Sequence, residues 1–328
     1  MSTPAGHERN ADQAAYWNGP AGQHWTDRQP MQDILLAPVS EVLLDRAAPR
    51  PGERILDVGC GCGATTIAFA ERVAPDGFVL GIDISAPMLA RAREIAPQGL
   101  PLAFALADAT VHPFDPAGFD LLASRFGVMF FADPAISFAN LRRALRPSGR
   151  VAFACWREPR DNPWMMTALQ AVYQHVPKMP RPEPEDPGPF SFASEDRVHR
   201  ILGQAGFSGI AMEPCGLSLD VAIGRGLDAA VDGALEIGPA SRALEGASIE
   251  VRAAAKESIR EALAPFVRGE SVPLAGSIWI VTARAAWRPR NAHVVGLRRI
   301  TGLSAQRPLC VPCRPSVRAD FVRHELPY

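Results

Sequence analysis

The chain has 328 residues, 47% of them apolar and 21% charged, which suits a globular protein with one large core and an added cap, or two small domains. Its formal net charge of −1 argues against nucleic acid as the main partner. No stretch is long and uncharged enough for a membrane helix: residues 119–141 come nearest but hold Asp120, Arg125 and Asp133, and residues 2–13 are polar, not an apolar signal core, so a cytoplasmic protein is expected.

Residues 11–29 gather Tyr16, Trp17, His24 and Trp25 around the Gly19-Pro20 break. In residues 31–48 the apolar Ile34, Leu35, Val39, Val42 and Leu43 recur at helical spacing, with Asp33, Glu41 and Asp45 on the other side. Pro38 is expected to kink this helix or split it in two.

The rest of the chain is organised around residues 54–66. The short apolar run Ile55-Leu56-Asp57-Val58 meets alternating glycines, Gly59, Gly61 and Gly63, and continues as Ala64, Thr65, Thr66, Ile67 and Phe69. That reads as strand, tight turn, helix, with glycine where backbone angles disfavour a Cβ and a ligand approaches bare backbone. The N–H groups of the following helix suit a polar or anionic part of a nucleotide. Gly59, Gly61 and Ala64 also satisfy the looser dinucleotide pattern. Asp57 favours another ligand, because a carboxylate sits poorly beside a pyrophosphate and well beside an amino group. Asp83 and Asp108 follow at the ends of two more apolar runs, and a cofactor with an ammonium, a ribose diol and an adenine amino group offers donors to all three.

The second strand is expected to run to Ile82, with Ser85 capping its helix and Pro87 in the first turn. Strands are also expected at residues 102–106, 119–124 and 149–155, with a helix at 135–145 capped by Asp133. Alternation of strands and helices argues for parallel pairing with right-handed crossovers, ligands lying outside the carboxyl ends of the strands.

Over residues 53–155 the order and spacing of Ile55 to Gly63, Gly81 to Ser85 with Met88-Leu89, Ala107 to Ala109 and Leu145 to Val151 resemble the class I S-adenosylmethionine-dependent methyltransferases, in particular the small-molecule branch similar to the ubiquinone/menaquinone-biosynthesis type. The resemblance implies an α/β, Rossmann-like seven-stranded sheet, mostly parallel with the last strand antiparallel, helices on both faces and a helical cap. It implies that Asp57 with Gly59, Cys60, Gly61 and Gly63 holds the methionine end of S-adenosyl-L-methionine, Asp83 the ribose, and Asp108 with Ala109 the adenine. Ile84 stands where the family usually has an acidic or bulky residue; it and Met88 are assigned to the cofactor, as is Ser124 at the end of the fourth strand. It also favours reading residues 1–50 as lid helices, with Trp17 and Trp25 over the substrate; the alternative is a helix that only covers the core edge.

Past the fourth strand, Arg125, Phe126 and Met129 are candidate substrate contacts, the apolar ones being equally readable as core. Arg125 either holds a substrate anion or is tied to Asp57 or Asp133. Residues 157–193, with Trp164, Met165, Tyr173 and Phe190, read as an apolar cap insertion for a hydrophobic or aromatic substrate, containing a proline-rich extended loop at 177–189. A capped helix is expected at 194–205, two more in a helical insertion at about 225–266, and a last strand at 277–283, completing a methyltransferase domain over 51–286. Residues 287–328 carry eight arginines and two acids, a net +6 that leaves −7 for the rest, and read as a disordered tail or a basic arm.

Of the six cysteines, Cys60 and Cys62 are small turn residues and Cys310-x-x-Cys313 is a half-site without a second pair, so free thiols and no metal are expected. The expected chemistry is methyl transfer to an O, N or C atom of a small acceptor, with His24, then Tyr16, as the candidate base; His24 is equally readable as a surface residue. The rivals are an NAD-dependent oxidoreductase, which leaves Asp57 and Asp108 without a role, and a non-catalytic cofactor-binding regulator. Oligomeric state is not legible.

Overall fold

The computed structural model describes residues 10–180, 183 and 185–285; the tail at 287–328, with Cys310 and Cys313, lies outside the described residues. Among the described residues, three helices stand ahead of the sheet: α1 (Ala11–Asn18), α2 (Pro20–Asp27) and α3 (Gln29–Ala47). Gly19 separates the first two in an extended conformation, and Pro20 opens the second, where its missing N–H costs nothing. Of the two outcomes expected at Pro38, the split does not occur: α3 runs through it as one element. A proline inside a helix costs about 3 kcal/mol, and burial of Leu36, Val39, Leu43, Leu44 and Ala47 along α3 offsets it.

The chain then alternates: β1 (Arg54–Val58), α4 (Ala64–Val73), β2 (Phe78–Asp83), α5 (Ala86–Ile95), β3 (Leu102–Leu106), β4 (Phe119–Arg125), α6 (Pro134–Ala144), β5 (Leu145–Trp156), α7 (Pro163–Val172), α8 (Glu195–Gln204), β6 (Phe207–Asp220), α9 (Gly226–Glu236), α10 (Pro239–Ala243), α11 (Ile249–Leu263) and β7 (Pro273–Ala285). The seven strands form one sheet in the order β3-β2-β1-β4-β5-β7-β6. The first five are parallel, and β7 runs antiparallel to both of its neighbours. Helices flank the sheet, as the expected fold class requires, and Asp133 caps α6 by accepting the Ile136 N–H at 3.1 Å. Ser85 does not cap α5; its hydroxyl donates instead to the Trp17 carbonyl at 2.7 Å.

One large core, including Val39, Ile55, Phe69, Leu121, Phe138 and Phe153, fills the space between sheet and helices. A second, including Val172, Val231, Leu244, Ile259 and Leu274, joins α7 to α9, α10 and α11. The two insertions, far apart in sequence, therefore share one apolar interior. The short α10 was not expected, since five residues are too few to show a period.

Arg150 of β5 ties the base of α3 to the sheet. Its guanidinium donates to the Ala47 carbonyl at 3.1 and 3.0 Å and the Ala48 carbonyl at 3.0 Å, and pairs with Glu53 at 2.7 and 2.8 Å. Burial acts to raise the Glu53 carboxyl, and contacts from Arg150 and Arg50 overcome it, so the group titrates below its ordinary range. A lowered acid adds stability that is complete above the unfolded value, roughly 4.3, and is lost as pH falls through the folded value. Arg150→Ala is expected to cost about 2 kcal/mol and to remove the Glu53-linked loss of stability on acidification; denaturant unfolding at pH 7 and pH 4 checks both.

Candidate active site

The strand-end acids gather where the sequence places them. β3, β2 and β1 are consecutive neighbours, Asp57 lies opposite Gly81, and Asp83 lies opposite Leu106, so Asp57, Asp83 and Asp108 follow the carboxyl edge of adjacent parallel strands. Between them the turn carries Gly59, Gly61 and Gly63 at φ of +67°, +55° and +89°, angles a side chain resists. Gly59 also meets the turn after β4: a Cβ there would lie 2.6 Å from the Gly127 Cα.

Asp57 is fully buried, and its Oδ2 accepts the Thr65 and Thr66 hydroxyls at 2.7 and 2.6 Å. Its Oδ1 is equally buried and has no hydrogen-bond partner among the described residues. Burial pushes this carboxyl up, the two threonines and Arg125 opposing. Asp83 accepts the Gly61 N–H on Oδ2 at 2.8 Å and the Ser85 N–H on Oδ1 at 2.9 Å, and burial pushes its carboxyl up as well. Asp108 Oδ1 accepts the Thr110 N–H and the Asn10 side-chain amide, both at 2.8 Å. Several of the turn's own N–H groups are committed internally: Gly59 and Cys60 to the Ile82 carbonyl, Gly61 to Asp83, and Gly63 to the Cys60 carbonyl. Cys60 and Cys62 are buried free thiols, Cys62 pushed up to about 12 by burial.

Asparagines of the N-terminal segment clasp this edge, and sequence reasoning missed them. Asn10 bridges Asp108, Thr110 and the Ala132 N–H. Asn18 donates to the Ile84 carbonyl at 2.8 Å and accepts the Ala86 N–H at 2.9 Å, capping α5 in place of Ser85. Gly22 of α2 has no room for a side chain, because a Cβ would meet the Trp17 carbonyl at 1.9 Å. Trp17 presents its ring edge-on to Phe130 at 5.1 Å and Trp25 at 6.3 Å. Met88, buried, lies under Gly61, whose Cβ would be 2.9 Å from its Cε.

The remaining candidates divide between the interior and the surface. Ser124 is fully buried with its hydroxyl donated to the Val58 carbonyl, so it ties β4 to β1 instead of facing a ligand. Met129 is core at 1% exposure and serves through its carbonyl, which accepts from Gly188 and Ser191. Ala109 is buried, its carbonyl held by Asn140. His24 and Tyr16 are exposed on α2 and α1 without a side-chain hydrogen bond to any described residue, the surface placement that the sequence equally allowed for His24. Arg125 is tied to neither Asp133 nor directly to Asp57; its partners are Ser40 at 2.7 Å and Asp33 at 3.8 Å, both on α3.

Phe126, at a left-handed φ of +71°, stacks on Trp156 at 4.2 Å, and Trp156 leans on Trp164 of α7 at 5.0 Å. Trp164 Nε1 and Arg157 Nε are buried without hydrogen-bond partners among the described residues. This aromatic group stands at the carboxyl ends of β4 and β5, next to the glycine turn. A cavity of about 210 Å³ lined by Arg54, Phe78, His112 and Phe119 lies at the opposite, amino ends of β1, β2 and β4.

A glycine turn between two strand-end acids, on a sheet of this order, defines a nucleotide-cofactor-binding α/β protein. The pattern of the Methyltransferase domain family matches residues 55–149. The chain is 44% identical over 117 residues to the nocamycin O-methyltransferase of Saccharothrix syringae, covering 35% of this chain and 41% of that one, so less than half of that relative is spanned. It is 34% identical over 157 residues to the aklanonic acid methyltransferase DauC of Streptomyces sp. (strain C5), covering 44% of this chain and 70% of that one. The crystal structure of the YcgJ protein from Bacillus subtilis shares the fold, with a TM-score of 0.50 and 17% identity over 76% of this chain and 98% of that one. The chain belongs to the class I S-adenosylmethionine-dependent methyltransferases, the family that its strand-end acids and glycine turn resemble.

Proposed function

We propose that the protein transfers a methyl group from S-adenosyl-L-methionine to an O, N or C atom of a small hydrophobic or aromatic acceptor. One observation carries this: Asp57, Asp83 and Asp108 end three adjacent strands around a turn whose glycines leave backbone bare. The buried, unpartnered Oδ1 of Asp57 fits a cationic ligand at that turn. Asp83, already oriented by two N–H groups, retains lone pairs for a ribose diol. Asp108 has its Oδ1 doubly engaged and its Oδ2 left for an exocyclic amine. Asp57 and Asp108 would stand idle beside a nicotinamide dinucleotide, which disfavours the oxidoreductase reading.

The cofactor supplies an electrophilic methyl group on a sulfonium. The protein's part is alignment and exclusion of water, and alignment contributes roughly 7–11 kcal/mol in the best cases. Helices α1 to α3 act as the lid, Asn10, Asn18 and the Trp17 carbonyl holding it to the acids' loops. Trp164, half-buried on α7 and backed by the buried Trp156 and Phe126, offers an aromatic surface to the acceptor. The relatives are named for nocamycin and aklanonic acid, which accords with a small organic acceptor. No protein base is assigned; an acceptor ionised at neutral pH needs none.

Titration calorimetry with S-adenosylmethionine and NADH, followed by methyl transfer to a panel of phenols, quinols, carboxylic acids and amines, tests the reading; binding of NADH alone would reject it. Asn10→Ala is expected to weaken cofactor binding roughly five-fold, about 1 kcal/mol, through loss of the Asp108 orientation. Asn10→Asp should be worse, since it sets a second carboxylate against the first.

A further inference from the structure

Arg125 ends β4 with its side chain only 10% exposed. A guanidinium carries five N–H donors and stays charged, so burial demands partners. This one has a hydroxyl, Ser40 Oγ at 2.7 Å from Nη1, and a carboxylate, Asp33 Oδ1, 3.8 Å from Nη2 and beyond hydrogen-bond range. Its remaining charged or titratable neighbours are Asp57 and Cys62, both of the glycine-turn segment. Asp33 takes a side-chain N–H from Gln29 on its other oxygen and, like Arg125, neighbours Cys62. An under-coordinated cation and a half-free carboxylate thus stand side by side against the turn.

The sheet order tells what they face. Asp83 and Asp108 lie on the β2 and β3 side of the turn, whereas Arg125 lies on the β4 side. A cofactor with its adenosine toward β2 and β3 must direct its amino-acid end toward β4. That end is a zwitterion, one carboxylate and one ammonium on a single carbon. We infer that Arg125 and Asp33 are a two-point clamp for it, Arg125 taking the carboxylate and Asp33, with the open oxygen of Asp57 beneath, the ammonium. The loose pair then exchanges an incomplete contact for two better ones on binding. Arg125 is thereby a cofactor residue, not the acceptor residue that its position after the strand suggests, and Asp33 and Ser40 link lid helix α3 to cofactor occupancy.

The inference rests on the proposed cofactor, and the test separates the two. Full-length wild type, Arg125→Gln and Asp33→Asn are titrated calorimetrically with S-adenosylmethionine and with 5′-methylthioadenosine, which keeps the adenosine and thioether but lacks the amino-acid end. Each substitution is expected to weaken S-adenosylmethionine binding 10- to 100-fold and to change methylthioadenosine binding less than two-fold. Thermal unfolding reports whether each variant folds; should Arg125→Gln not, Asp33→Asn carries the test. Parallel loss of both ligands would overturn the clamp, as would unchanged cofactor binding with a raised KM for the acceptor. In either case a wild type that binds S-adenosylmethionine keeps the proposed function standing, and a wild type that does not would sink both.

Discussion

Asp83→Ala is expected to lower S-adenosylmethionine affinity on the order of 100-fold and to reduce methyl transfer at least as much. The carboxylate lies where the Gly61 N–H and the Ser85 N–H converge, at 2.8 and 2.9 Å. Removing it deletes the proposed ribose contacts and leaves two backbone donors unmet, each worth about 1–3 kcal/mol when buried. The Gly61 donor belongs to the turn itself, so the turn loosens along with the ribose site. Asp83→Asn is the informative companion: its amide keeps shape but offers only one acceptor oxygen to two N–H groups, so it should fall between wild type and alanine. Calorimetry with S-adenosylmethionine measures both; affinity within two-fold of wild type would remove Asp83 from the site.

Gly127→Ala is expected to damage both stability and cofactor binding through a single added methyl group. A Cβ at this position would stand 2.6 Å from both the Gly59 Cα and the Val58 carbonyl oxygen, and neither is a side chain that can swing away. Gly59 is held at φ +67° with its N–H on the Ile82 carbonyl, so relief must come from separating the ends of β1 and β4. Overpacking of this kind costs about 1–3 kcal/mol or more, and the displaced turn should bind cofactor at least 10-fold more weakly. Gly188→Ala, where a Cβ meets nothing within 4 Å, serves as the control and should change neither. Wild-type unfolding and binding in Gly127→Ala would contradict the close packing of the two turns.

Local patterns carried the parallel sheet and the glycine turn because their signals are short in range. Ile55 to Val58 is too short for a helix, glycines tolerate the turn's angles, and residues 64–73 repeat at helical spacing, all within one stretch of chain. The three acids were legible for the same reason, each ending an apolar run. The threonines that hold Asp57 were within reach too, being hydroxyls in the first turn of the helix that follows the acid.

What tertiary structure decided was where side chains end up and which distant segments meet. Position after a strand does not say which way a side chain turns, so Ser124, read as a cofactor contact, and Met129, readable as contact or core, were settled as interior only by the fold. Asn10 is 98 residues from Asp108, and Ser40 is 85 from Arg125; no periodicity records such pairings. The shared interior of α7 with α9 to α11 likewise exists only because β6 and β7 bring two insertions to one end of the sheet. By itself the sequence determined the strand–turn–helix frame and its acids, since hydrophobic period and glycine angles act between near neighbours. Folding alone decided the asparagine contacts of the N-terminal helices, the Arg125 environment and the stacking of Phe126, Trp156 and Trp164, since burial and hydrogen bonding act between groups that only the closed sheet brings together.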